Sequence, residues 1–121
     1  MQVSTPMVDA LGKYLDLSTL ELKLTAQNMA NVDTPGYRTV GFDFAAQMVR
    51  SLDALSSGGG ATPAEAVGPV GGLLERPDGN DVSLDREGMK MAEAQLQFRS
   101  GVELLKHEFN RVMDAIHEDQ K

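Results

Sequence analysis

Apolar residues recur in alternating steps of three and four near both ends of this chain, and a stretch dominated by Ser, Gly, Ala and Pro separates the two runs. The first run is Val8, Leu11, Leu15, Ser18, Leu22, Thr25 and Met29, a heptad seam that is polar at two positions. Leu17, Leu20 and Leu24 lie beside it and widen the apolar surface. The second run is Met91, Gln95, Phe98, Val102, Leu105, Phe109, Val112 and Ile116. Between them, residues 56 to 72 cannot build a core and read as a mobile or extended linker. What is left for a core is two helices' worth of Leu, Val, Met and Phe. That is thin for an independent globule, and chains of this kind gain a core by associating.

Local signals set the expected boundaries. Thr5 is placed to cap a helix that has Pro6 at its first position and Asp9 in its first turn. That helix should stop near Asn31, a residue type that tolerates the left-handed conformation common after a helix end. Thr34-Pro35-Gly36-Tyr37 fits a type II turn, with Gly36 supplying φ > 0. Asp33 is expected to add an Asx-type bond to the backbone ahead of it. A short amphipathic helix is expected over 43–55, an extended piece over 73–76 and a tight turn at Pro77-Asp78-Gly79-Asn80. Ser83 is the expected cap of the last helix, with Asp85 and Glu87 in its first turn. From 83 to 118 that helix would be about 50 Å long, too long for a chain this small to bury.

The fold class is therefore all-α, with long N- and C-terminal helices packed in a coiled-coil-like pair. The units are a helix over 5–32, a connecting region over 33–82 and a helix over 83–118. Leu11, Leu15 and Leu22 are expected to pair with Phe98, Leu105 and Phe109, and Met29, Val102, Val112 and Ile116 extend the two seams.

Tests for chemistry are negative. The formal net charge is −7, which disfavours nucleic acid. There is no cysteine, so disulfides and Cys-based metal or redox sites are excluded. His107 and His117 lack the i, i+4 spacing of a helical metal pair; His107 lies near Glu103 and Arg111 and His117 near Asp114, and both read as solvated salt-bridge partners. Asp78-Gly79-Asn80-Asp81 fails the calcium-loop pattern, which needs Gly where Ser83 stands and Glu where Met89 stands. Gly12-Lys13 is followed by Tyr14, so there is no phosphate loop. No enzyme, no metal, no cofactor and no small-molecule substrate are expected. The start of the chain has no basic residue before Lys13 and no secretory signal, and no run is long enough for a membrane span. Sequence physics alone reads this as soluble and cytoplasmic.

One segment points elsewhere. Asn28-Met29-Ala30-Asn31-Val32-Asp33-Thr34-Pro35-Gly36-Tyr37 resembles the N-terminal signature of the axial proteins of the bacterial flagellum, Asn-Ile-Ala-Asn-x-Asn/Asp-Thr-Pro-Gly-Tyr/Phe. Met29 for the usual Ile or Leu is the only softening. Asp78-Gly79-Asn80-Asp81-Val82-Ser83-Leu84-Asp85-Arg86-Glu87, with Met91-Ala92 and Gln95-Leu96, is similar to the C-terminal region of the proximal rod branch of the basal-body rod family. Asp43-Phe44 and the short middle agree with that branch. The sister rod branch carries a Pro-Asn-Val-type segment that is absent here. The resemblance covers both ends and says little about 56–72.

The resemblance implies that the terminal helices form the inner domain of a helical tube at the base of the rod. Its partners would be further copies of itself, other flagellar rod subunits, the MS-ring protein and the rod adaptor protein FliE. The subunit would carry torque, surround the export channel and leave the cytoplasm through the flagellar type III export apparatus without a cleaved signal. That replaces the cytoplasmic reading by a periplasm-spanning rod. Asn28, Asn31, Pro35, Gly36 and Tyr37 would set how the first helix hands over to the loop. The alternatives are another rod subunit, or a cytoplasmic coiled-coil adaptor or export-chaperone-like protein, which would have no need of the motif.

Overall fold

In a computed structural model of the chain, which describes residues 5–58 and 66–119, helix α1 spans Pro6–Ala30. The Thr5 hydroxyl accepts from the Val8 N–H at 3.1 Å, and Pro6 stands where a missing N–H is harmless. Asp43 caps α2 (Phe44–Ser56) through the Ala46 N–H, and Ser83 caps α3 (Leu84–Glu118) through the Arg86 N–H. At 1.5 Å per residue, α1 is about 37 Å long and α3 about 52 Å.

α1 ends differently from the sequence expectation. Asn31 sits at φ −105°, ψ 18°, and among the described residues only glycines have positive φ. The side chain does the capping instead: Asn31 Nδ2 donates to the Gln27 carbonyl at 2.8 Å. A frayed carbonyl of the last turn is thereby satisfied without a left-handed residue.

α1 and α3 run antiparallel. Thr5 meets Glu108 at one end of the pair, at 3.4 Å, and Asn28 meets Glu87 at the other, at 3.0 Å. The α3 residues closed off from solvent are Glu87, Ala94 and Gly101, seven apart in the sequence. On α1 they are Leu11, Leu17, Ser18, Leu24, Thr25 and Asn28. The expected pairing of Leu11, Leu15 and Leu22 against Phe98, Leu105 and Phe109 is therefore displaced. Leu11 is buried and Leu15 touches α3, but Phe98 is 38% exposed, Phe109 43% and Ile116 37%. Small residues let two helices approach closely, and here Gly101, Ala94, Ser18 and Thr25 occupy the closed face. The row of large apolar residues on α3 is left to one side.

Gly101 makes that closeness quantitative. A Cβ added there would lie 2.7 Å from Leu15 Cδ2 and 3.0 Å from Tyr14 Cδ1. Gly101→Val is expected to force the helices apart, at a cost of about 1–3 kcal/mol or more for overpacking, despite a better helix propensity. Circular dichroism of the full chain in a stabilising osmolyte, which strengthens burial, would read the loss.

A short β-ladder completes the fold. β1 (Val40–Gly41) pairs antiparallel with β2 (Gly68–Pro69), and the Val70 N–H donates to the Thr39 carbonyl at 2.9 Å. Part of the stretch expected to be a linker is thus ordered against the loop after α1. Gly41 permits it, since a Cβ there would meet Val70 Cγ2 at 3.0 Å. Residues 59–65 of the expected linker lie outside the described residues. Residues 73–76 are not a strand. Tyr14, Phe44 and Phe42 pack in sequence, with Tyr14 and Phe44 edge to face at 5.5 Å between ring centres.

The buried set is mostly polar. Among the described residues, Leu11, Leu17, Leu24, Val82 and Ala94 are the buried apolar ones, against nine polar or charged ones that include Asn28, Asn80, Asp81 and Glu87. Such groups are tolerated only when their hydrogen bonds are made.

Candidate functional site: a two-part polar lock

Most of those polar groups converge where α1 ends. Asn28, 1% exposed, is the first anchor. Its Nδ2 donates to the Val40 carbonyl at 2.8 Å and to Glu87 Oε2 at 3.0 Å. Its Oδ1 accepts from the Val40 N–H and the Tyr37 hydroxyl, both at 3.0 Å. One carboxamide thus gives β1 the two bonds that a neighbouring strand would give. Glu87 is fully buried and its second oxygen takes Arg86 Nη1 at 2.6 Å.

Asn80 is the second anchor, and it is fully buried too. Its Nδ2 lies 2.9 Å from the Asn31 carbonyl, 3.0 Å from that of Val32 and 2.9 Å from that of Thr34. Its Oδ1 accepts from the Val82 N–H at 2.8 Å. Arg76 also donates to the Val32 carbonyl. The Gly36 N–H donates to the Asp78 carbonyl at 2.9 Å, and the Asp81 N–H to that of Tyr37 at 3.3 Å. Residues 31–40 are therefore held by residues 76–87, far along the chain.

The turn itself has both marks of type II: Gly36 at φ 74° and a Tyr37 N–H bond to the Thr34 carbonyl at 3.2 Å. Gly79, at φ 85°, stacks on it, and a Cβ there would come within 3.3 Å of Gly36 Cα. Gly36→Val has room for the side chain but not the backbone conformation. A β-branched residue at positive φ is strongly disfavoured, and we expect that variant to abolish assembly. Normal swimming of cells carrying it would remove the turn from the account.

Asp81, 5% exposed, accepts from the Thr39 N–H at 2.6 Å and lies 3.7 Å from Arg38, which also reaches Glu75 at 3.2 Å. Burial pushes its carboxyl up, but the Thr39 N–H and the Arg38 charge outweigh that and hold it below the usual Asp range. The buried Thr39 hydroxyl has no partner of normal geometry among the described residues, so we assign the lowering to the main-chain N–H and Arg38. A depressed folded value contributes stability above the unfolded pKa of about 3.9, and that contribution is lost as pH falls through the folded value. Asp81→Asn should therefore weaken the fold at neutral pH, by about 1–3 kcal/mol, and flatten its acid dependence. Acid titrations of both chains, followed by circular dichroism in osmolyte, test this.

The motif residues do not all enter the lock. Asn28, Asn31, Thr34, Gly36 and Tyr37 are tied in, with Asn31 Oδ1 accepting from the Thr34 hydroxyl at 3.0 Å and Gln27 reaching the Tyr37 hydroxyl at 3.3 Å. The Asx bond expected of Asp33 is not made; Asp78 makes one instead, to the Asn80 N–H at 3.0 Å. Asn80, Asp81, Arg76 and Glu87 were not singled out from sequence as site residues. Beside the ladder, a cleft of about 370 Å³ is lined by Glu21, Phe42, Val70, Arg86, Glu87 and Lys90, among others. Burial raises the Glu21 carboxyl, opposed by Lys90, which itself lies 3.9 Å from Glu93. Neither histidine forms an ion pair among the described residues; Glu103 pairs with Lys106 instead. No helix among the described residues is long and apolar enough to cross a membrane, and no group of three or more His, Cys, Asp or Glu is placed to hold a metal ion.

The arrangement is thus a hydrogen-bonded joint with a row of exposed apolar residues on α3. No protein-family model matches the chain. Several curated relatives do, among them the three that follow. The flagellar basal body rod protein FlgB of Salmonella typhimurium is 33% identical over 121 residues, covering 84% of this chain and 86% of that one. FlgB of Cereibacter sphaeroides is 33% identical over 123 residues, covering 89% and 94%. FlgB of Escherichia coli is 31% identical over 134 residues, covering 91% and 97%. With identity above 30% across most of both chains, and with a motif whose polar side chains build the joint described above, this chain belongs to the FlgB family of flagellar basal body rod proteins.

Proposed function

We propose that this chain is a structural, non-enzymatic subunit of the proximal rod of the flagellar basal body, assembling with other rod components and serving motility. The observation that carries this reading is the pairing of the family likeness with the uncovered seam of α3. Phe98, Phe109 and Ile116 are exposed, as is Met113 at 49%. Apolar residues in a heptad row without a neighbour are what a subunit offers to further helices. α3 also outruns α1: Glu108 meets Thr5, the cap of α1, and ten further residues of α3 follow it.

The subunit sits at the base of the rod, against the MS-ring protein and FliE, with copies of itself and other rod subunits around it. It transmits torque and encloses the export channel. It reaches that place through the flagellar type III export apparatus. The domain division follows: 5–32 and 83–118 form the inner domain and 33–82 the connecting region. Leu11 and Leu15 serve the pairing of the two helices, and Leu22, Met29, Val102, Leu105 and Val112, with the exposed α3 residues, serve helix packing and the contacts between subunits. A buried set this poor in apolar groups supports an isolated chain that is largely molten and gains order on assembly. A sharp cooperative melt of the monomer by circular dichroism would contradict that last point.

Mass spectrometry of detergent-purified hook–basal bodies from the source bacterium tests the reading. The chain is expected there beside other rod proteins. Its absence from intact particles, with abundant chain in the cytoplasm, would overturn the rod assignment in favour of an adaptor.

A further inference from the structure

Asp33 is the polar motif residue that the fold leaves unused. Asn28, Asn31, Thr34 and Tyr37 all make side-chain hydrogen bonds within the chain. Asp33 is exposed and makes none, nor any ion pair, among the described residues. Yet in the folded chain its backbone is tied on both sides by hydrogen bonds. Asn80 Nδ2 donates to the carbonyls on both sides of it, Val32 at 3.0 Å and Thr34 at 2.9 Å. A carboxylate on a pinned loop loses little freedom when it docks, which is the condition for using it in recognition.

The complementary charge is also in the chain. Among the described residues, Lys23 and Arg99 are the basic residues with no hydrogen bond or ion pair. Both are exposed. Arg99 has three advantages. Its planar guanidinium matches a carboxylate in a two-pronged bond, which an ammonium does not. It stands one turn from Leu96, which is 67% exposed, so the contact would also cover apolar surface. And it is about 20 Å along α3 from the end of the molecule that carries Asp33, at 1.5 Å per residue from Asp85. A contact between that end of one copy and the middle of α3 on the next joins two different surfaces. Such contacts propagate into helical arrays, whereas a contact between like ends closes on itself. Lys23, two turns before the end of α1, would bring two loop ends together.

We infer that Asp33 of one copy docks on Arg99 of a second copy, with Pro35 and Leu96 flanking the ion pair, as a repeating contact of the assembly. This rests on the rod-subunit reading.

The chain has no cysteine of its own, which allows a clean test. The two cysteines stand on different chains, and Arg99 lies about 20 Å along α3 from Asp85, against the roughly 7 Å that a disulfide spans, so a crosslink must join two copies. Asp33→Cys and Arg99→Cys are made in separate genes and expressed together, and basal bodies are purified and oxidised. A band at twice the 13.0 kDa chain mass is expected, reversed by reductant and absent when either variant is expressed alone. Incorporation of both variants without that band would overturn the contact, as would crosslinking of Asp33→Cys to a different rod protein. Absence of the wild-type chain from basal bodies would instead remove the rod reading itself. If the cysteine variants fail to incorporate, charge exchange decides. Asp33→Arg or Arg99→Asp alone should lose swimming, and the two together should restore it. A double variant no better than the singles overturns the inference.

Discussion

Asn80→Ala is expected to release the loop after α1 and to cost about 3–5 kcal/mol, one of the two largest single-residue effects in this chain. The side chain is fully buried and touches four main-chain groups: the carbonyls of Asn31, Val32 and Thr34 and the N–H of Val82. Alanine removes every one of those bonds and introduces no water to replace them. The buried Val82 N–H loses its acceptor, while the carbonyls of Asn31, Val32 and Thr34 each fall back on one remaining donor, the Thr34 N–H, Arg76 and the Tyr37 N–H. A buried donor left unsatisfied costs more than its bond was worth. Asn80→Asp separates shape from donor chemistry. It keeps the acceptor for Val82 and loses the N–H₂, turning a carboxylate oxygen toward three carbonyls. It should be at least as damaging as alanine at neutral pH. Amide exchange in osmolyte reads the effect locally, at the Gly36 and Asp81 N–H groups that close the loop onto residues 76–81. Asp53→Ala, an exposed change on α2, is the control and should leave both unchanged. Protected Gly36 and Asp81 amides in Asn80→Ala would show that the loop holds itself and that Asn80 is incidental.

The parts of this fold that were legible in the sequence are those whose physics is local. Thr5-Pro6 and Ser83 each cap a helix within three residues, and both caps are found. The Thr34–Tyr37 turn is equally local, since Pro35 and Gly36 set it. The seams were located as stripes, but periodicity does not say which stripe faces inward. It weights large apolar residues and so favours Phe98 and Phe109. The helices instead meet where side chains are small, at Ala94 and Gly101. The lock was illegible for a different reason. Asn80 reads as a turn residue and Glu87 as a first-turn acid, each adequately explained by its neighbours. Their burial depends on partners that lie 46 to 59 residues away, at Thr34, Val32, Asn31 and Asn28. Only pairing information could have joined them. The likeness of both segments to one family pointed to the two halves without showing that they touch.

Asn28→Asp is expected to be as disruptive as loss of Asn80, although it changes no heavy-atom shape. Asn28 Nδ2 stands 2.8 Å from the Val40 carbonyl and 3.0 Å from Glu87 Oε2, both acceptors. An oxygen in its place faces two acceptors, one of them charged, at a site 1% exposed. An uncompensated buried charge costs about 3–5 kcal/mol. Arg86 sits beside Glu87 at 2.6 Å and offsets part of this, but it does not supply the missing donor to Val40. The pH dependence should run opposite to that of Asp81. Protonating the introduced carboxyl restores one donor and removes one charge, so the defect should shrink as pH falls. A second change distinguishes this account from general intolerance at the position. Adding Glu87→Gln supplies an N–H₂ that can donate back to the introduced carboxylate, so the pair regains a donor and an acceptor with the roles exchanged. The double variant should recover a substantial part of the helicity in osmolyte and of swimming in cells, even though Glu87→Gln alone removes the partner of Arg86. A double-mutant cycle with no coupling would mean that the Asn28–Glu87 contact is spectator to the joint, and that Val40 alone explains why an amide stands where α1 ends.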